Sequence, residues 1–265
     1  MPSIYAHYYF ASKCADKFPE ELKKIIADNR KFYDLGASAG DLLFYYKPYK
    51  KNDIRIYGTQ LHHENFAEQM TRFKESALSS SHSQRDIAYL AGYYTHFILD
   101  SVVHPYICKV EAEKVEKHLV IEVDYDRKLL IKTGENPYSN KFLRYQVNDG
   151  ETQEIVAKYL NTTPAVIKKT LKDRKKFTKL ISSQNKVVRG GVNFLLKLSG
   201  KPNAFEILTQ KTENDKCGAV RERIDELMKS ALVDAQKYGA EFYEFLKSSS
   251  PLSERFQCDF YRQEV

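Results

Sequence analysis

Apolar positions along the chain recur every three or four residues, and the strict alternation of a half-buried strand hardly occurs. Ile4 to Lys17 reads as a first helix, and Pro19, suited to a first helical turn, opens a second that reaches about Asn29. LGASAGD, Leu35 to Asp41, reads as a loop, and Pro48, Lys50 and Lys51 mark another connection. A long helix is expected from Gly58 to Ala77, and a strongly apolar one from Gln84 to Pro105. Glu111 to Ile131 predicts a further helix, GENPYSN a turn, and Thr152 to Leu160 a short helix. Near the end, Val220, Ile224, Leu227, Ala231, Ala235, Tyr238, Phe242 and Phe245 step by 3 and 4 and predict one long amphipathic helix. No internal repeat or linker divides the pattern, so one all-α domain over residues 1–265 is the expectation.

Composition agrees. Of 265 residues, 42% are hydrophobic and 29% charged, which excludes intrinsic disorder, while 11 Gly and 8 Pro are too few for a turn-rich β-protein. Cys14, Cys108, Cys217 and Cys258 are scattered without a CxxC, which argues against a disulfide framework or thiolate zinc site and for a reducing, cytoplasmic setting. The start of the chain lacks the basic and apolar regions of a secretory signal. Ile87 to Ile107 is long enough to span a bilayer but contains His96, Asp100 and His104. An ionisable residue costs about 2.5–3.5 kcal/mol at a membrane centre, so the segment reads as a buried helix of a soluble protein with no transmembrane segment.

The net charge of +7 is concentrated: Lys168 to Arg189 holds nine basic residues and one acid, Asp173. Such a segment suits peripheral contact with an anionic membrane surface, or with nucleic acid. The alternative is a solvated helix face opposite a stripe of Val166, Ile167, Thr170, Phe177, Leu180 and Ile181.

The histidines carry the chemistry. His96, Asp100 and His104 form HxxxDxxxH, and His118 with Glu122 forms HxxxE; residues four apart share a helix face, about 5–6 Å between Cβ atoms. Imidazole and carboxylate are donors that zinc accepts. An ionised Asp100 in an apolar helix must be paired, protonated or bound to a cation, and a metal resolves that requirement. Pro105 is expected to kink or stop the helix at His104, turning that imidazole toward a second metal. Val115, His118, Glu122, Asp126 and Leu129 fall on one face of the following helix, and Asp126 is a candidate to hold the tautomer of His118.

THFILDSVVHPY and HLVIEVDYDRKL, with AHYYF, LGASAGDLLFYY and GTQLHHE before them, resemble the zinc-dependent phospholipase C family, over about Ile4 to Leu130. That family shares an all-helical fold and trinuclear metal site with zinc nucleases of single-stranded nucleic acid. The resemblance implies two or three zinc ions. Asp41, His62, His96 and Asp100 match the ligands of one, and His104, His118 and Glu122 those of another. His7, Asp100 and the amino terminus match a third, with Pro2 as the donor if Met1 is removed. His62 and His63 point about 100° apart, so only one is a ligand, and alignment with GxxxH favours His62. Asp41 is also implied to orient or deprotonate the attacking water, and Tyr45 and Tyr46 either wall a head-group site or are core aromatics. His82 reads as a solvated loop residue. The metal-site half is then 1–145 and a C-terminal helical half 146–265. The expected activity is hydrolysis of phospholipid to diacylglycerol and a phosphorylated head group. The alternatives are a single-strand nuclease or nucleotidase, and a non-enzymatic interaction protein with a structural metal site.

Overall fold

The structure, a computed structural model, describes residues 4–78, 83–198 and 208–263. Met1, Pro2 and His82 lie outside the described residues. Eleven α-helices and no strand occur among the described residues: α1 Ile4–Cys14, α2 Glu20–Asp28, α3 Arg30–Gly36, α4 Asp53–His62, α5 Phe66–Leu78, α6 Ser83–Ala112, α7 His118–Lys132, α8 Gly150–Tyr159, α9 Pro164–Ser182, α10 Lys186–Leu198 and α11 Gly218–Lys247. The protein is an all-α single domain, as its periodicity predicts.

Helix α6 is the axis of the domain. At 30 residues it is about 45 Å long. From Ala88 to Ser101 every residue is buried, because α1, α2, α3, α5, α7 and α11 surround it. On one side α3 crosses it at backbone contact. A Cβ on Gly92 would lie 2.1 Å from the Tyr33 carbonyl oxygen, and one on Gly36 2.0 Å from that of Tyr89. This contact presses residues 37–41 against the middle of α6. On another side α11 presents the predicted stripe, with Val220, Ile224, Ala231, Ala235, Phe242 and Phe245 buried. Tyr94 donates to the Ala235 carbonyl at 3.0 Å and stacks on Phe242 at 4.5 Å.

Several expectations are corrected. The helix predicted over Gly58 to Ala77 breaks at His63–Asn65, because the chain's C-terminal segment bonds to both sides of the break. The Phe66 N–H donates to Cys258 O (3.0 Å), and the Phe260 N–H to His62 O (3.2 Å). Asn65 then accepts from the Glu68 N–H and caps α5. Pro105 does not stop α6; the helix runs about two more turns to Ala112, where buried Ile107 and Val110 offset the lost hydrogen bond. The helix predicted from Glu111 starts at His118 instead, after a reversal in which Lys114 takes φ 59° and Val115 is exposed.

In α9 the buried stripe is Ile167, Thr170, Leu171, Arg174, Thr178 and Ile181, and the expected Leu180 faces outward. Arg174 belongs to the core because its guanidinium carbon lies 5.1 Å over the Tyr45 ring. Among the described residues no helix is long and apolar enough to cross a membrane, and all four cysteines are free.

The α3–α6 contact sets a test. Gly92→Ala should lower unfolding free energy by about 1–3 kcal/mol or more through overpacking, measured by denaturant titration. Gly190→Ala, in α10 with open space around it, should be neutral or stabilise by up to about 1 kcal/mol. Equal behaviour of the two variants would refute the backbone contact.

Candidate metal centre

Five elements bring eight polar side chains to one buried point. Helix α1 supplies His7, the turn after α3 supplies Asp41, and the last residue of α4 is His62. Helix α6 supplies His96, Asp100 and His104 along one face, and the first turn of α7 supplies His118 and Glu122. All are buried except His118, which is partly exposed. The donor atoms fall into three groups, each within 4.8 Å: His7, His96 and Asp100; Asp41, His62 and His96; His104, His118 and Glu122.

Their spacing has a physical signature. His7 Nε2 is 3.3 Å from Asp100 Oδ1, His96 Nε2 3.2 Å from Asp100 Oδ2, and His62 Nε2 3.3 Å from Asp41 Oδ1. Glu122 Oε1 lies 3.2 Å from His118 Nε2 and 3.6 Å from His104 Nε2. A tetrahedral ion with donors at about 2.0–2.1 Å sets neighbouring donors about 3.3–3.4 Å apart. Hydrogen bonding leaves much of this set unsatisfied. His62 Nε2, His96 Nε2, Asp100 Oδ2 and Glu122 Oε2 are buried without a hydrogen-bond partner, although the first three lie within ion-pair distance of an opposite group. Buried donors and acceptors are rarely left unpaired, and metal ions in these groups would satisfy them.

Backbone contacts orient the imidazoles. His62 Nδ1 is 2.9 Å from the Gly58 carbonyl and His96 Nδ1 3.0 Å from the Ala37 carbonyl, so each donates from Nδ1 and presents the Nε2 lone pair. Gly40 leaves the space in which His96 stands, since a Cβ there would lie 2.4 Å from Nε2.

The electrostatics follow from burial opposed by proximity. Burial would raise Asp41 and Asp100, yet the neighbouring histidines hold both carboxyls well below the usual range. Glu122, also buried, is likewise held below the usual range, and His104 and His118 beside it contribute to that. Burial and the charge of His96, stacked on it at 3.9 Å, together lower His7 to about 4. His104 goes the other way: burial opposes its charge, but Asp100 and Glu122 push it up to about 9.

Residues 6–185 match the family model for zinc dependent phospholipase C. The chain belongs to the zinc-dependent phospholipase C family. No curated protein and no solved structure matches it. Membership and the donor clusters together make this a zinc-family site whose residues could hold metal. The match runs beyond Leu130, where the resemblance of the motifs ends, through α8 and α9.

The structure separates residues that the sequence left as alternatives. His62 is in the cluster, while His63 turns outward to Asp259 (3.2 Å) and its side chain is 53% exposed, which separates the two neighbours. Asp126 anchors α1: its carboxylate accepts from the N–H groups of Ile4 (2.6 Å), Tyr5 (2.9 Å) and Ala6 (2.8 Å). It thereby sets the turn that precedes His7. Tyr45 is a core residue packed on Phe177 and Arg174, and Tyr46 is half-buried beside Lys47. Sequence reasoning missed Asp259, Phe260 and Tyr261, which pack on the cluster from the far end of the chain. Only their aromatic and acidic character hinted at it.

A pH test follows from His104. In the metal-free protein this imidazole keeps its proton up to about pH 9, and zinc requires the neutral form. Zinc affinity should therefore rise with pH through the neutral range and level off near 9. At pH 7 binding should release at least one proton, read by calorimetry in buffers of different ionisation enthalpy. Affinity independent of pH would contradict the assignment.

Proposed function

We propose that the protein is a phospholipase C type phosphodiesterase that cleaves phospholipid to diacylglycerol and a phosphorylated head group, with two or three zinc ions. The observation that carries this reading is the set of orphaned donor atoms at tetrahedral edge spacing around His96 and Asp100. Asp41, His62, His96 and Asp100 serve one ion, His104, His118 and Glu122 a second, and His7 with Asp100 and the amino terminus at Pro2 a third. Zinc, when bound, supplies Lewis-acid charge at the phosphoryl oxygens and a water acidified toward neutrality. Asp100 has an oxygen facing His7 and another facing His96, so it suits a bridging role. Asp41, held ionised between His62 and His7, accepts a hydrogen bond from the attacking water and orients it. The water oxygen adds to phosphorus, the bond to the diacylglycerol oxygen breaks, and the proton that the water gives up, passed by way of the Asp41 carboxylate, ends on that leaving oxygen as the alcohol.

Zinc-loaded protein should hydrolyse phosphatidylcholine, read as released phosphocholine. Asp100→Asn should abolish hydrolysis and lower zinc content by elemental analysis. Full zinc and near-normal activity in that variant would sink the bridging role. Hydrolysis of single-stranded DNA or 3′-nucleotides but not lipid would replace the lipase reading with the nuclease one.

The basic segment supports contact with anionic lipid. Lys169 is paired with Asp173 and Arg174 is buried, but Lys168, Lys172, Lys175, Lys176, Lys179 and Lys186 are exposed. Vesicles containing phosphatidylserine should bind the protein, and binding should fall steeply with salt, because the screening length shrinks from about 10 Å at 0.1 M to about 3 Å at 1 M. Salt-independent binding, or none, would return the segment to a solvated face.

A further inference from the structure

The last described residues form a strap over the metal cluster, outside the family-matched region. Phe260 is fully buried, with its ring 5.0 Å from His62, 5.7 Å from His96 and 5.4 Å from Phe97. The buried Asp259 carboxylate accepts from the N–H groups of Tyr261 (2.8 Å) and Gln263 (2.9 Å), closing a tight turn in which Arg262 takes φ 58°. The same carboxylate lies 3.2 Å from His63 Nδ1. This turn delivers Tyr261 to the cluster. Its ring stacks on His104 at 4.8 Å (18° between planes) and on His63 at 5.0 Å (13°).

Position and chemistry both matter here. His118 and His63 are the exposed edge of the cluster and its surroundings, so Tyr261 stands where a ligand from solvent would arrive. Both faces of the ring are covered by imidazoles, and among the described residues the hydroxyl has no hydrogen-bond partner. A phenol is protonated at neutral pH, so the Tyr261 hydroxyl can donate. In the zinc-loaded centre the ions attract the phosphate, and a phosphoryl oxygen that does not face an ion still needs a hydrogen-bond donor.

We propose that Tyr261 is a substrate-contacting residue of this centre, its hydroxyl donating a hydrogen bond to a phosphoryl oxygen of the ligand. The proposal rests on the phosphodiesterase reading above. Tyr261→Phe removes the donor and keeps the ring that stacks on His104 and His63. The experiment titrates inorganic phosphate into zinc-loaded wild type and Tyr261→Phe by calorimetry, alongside zinc content, thermal midpoint and lipid hydrolysis. Hydrogen bonds to charged groups lead to an expected loss of about 10- to 100-fold in phosphate affinity, with zinc content and midpoint unchanged. Equal phosphate affinity in the two proteins, with active wild type, overturns the role of Tyr261 alone. Loss of zinc in Tyr261→Phe makes the residue structural and also overturns it. A wild type that takes up zinc but neither binds phosphate nor cleaves phosphodiester overturns the reading beneath it and this proposal together.

Discussion

An ionised carboxylate in the middle of an apolar helix is the constraint around which the domain is arranged. Asp100 is 3% exposed, and burying it unpaired would cost several kcal/mol. Its own helix provides His96 and His104 one turn to either side, and α1 provides His7. Each imidazole needs a partner of its own, which draws in Asp41 and Glu122 and thereby the turn after α3 and the first turn of α7. The buried charges are mutually compensating only while all five elements are in place, so the fold and the site stand on the same contacts.

Positioning is achieved mostly by backbone groups. Carbonyls of Gly58 and Ala37 fix two imidazoles, and Asp126 fixes the start of α1 through three N–H groups. Rigid backbone partners of this kind hold side chains more closely than flexible surface loops do, which suits a site where metal geometry tolerates little displacement. Glycine contributes by absence: the α3–α6 approach and the space beside His96 each exist because no Cβ occupies them.

The basic segment shows how one run of charge is divided by tertiary packing. Arg174 turns inward over Tyr45, Asp173 accepts from the backbone of Lys47 and pairs with Lys169, and the remaining lysines of α9 face water. A sum of charges over the sequence treats these alike. Only the outward ones contribute to long-range attraction, because a buried charge acts chiefly on its immediate neighbours.

Periodicity in the sequence determined the all-α class, the long apolar α6 and the face of α11, since a helix buries a stripe that repeats locally. The i, i+4 spacing likewise placed His96, Asp100 and His104 on one line, and His118 with Glu122 on another, as helix geometry requires. The resemblance added Asp41, His62 and His7, which lie far from that line in sequence. Tertiary structure decided what local pattern does not encode. The break between α4 and α5 depends on hydrogen bonds from Cys258 and Phe260, about 200 residues away. Continuation of α6 past Pro105 depends on the burial of Ile107 and Val110, and the work of Asp126 on where α1 begins. The arrival of Tyr261 beside His104 depends on a turn closed by Asp259 and seated by Phe260, a contact set by packing between distant segments, for which a repeat of three or four residues carries no signal.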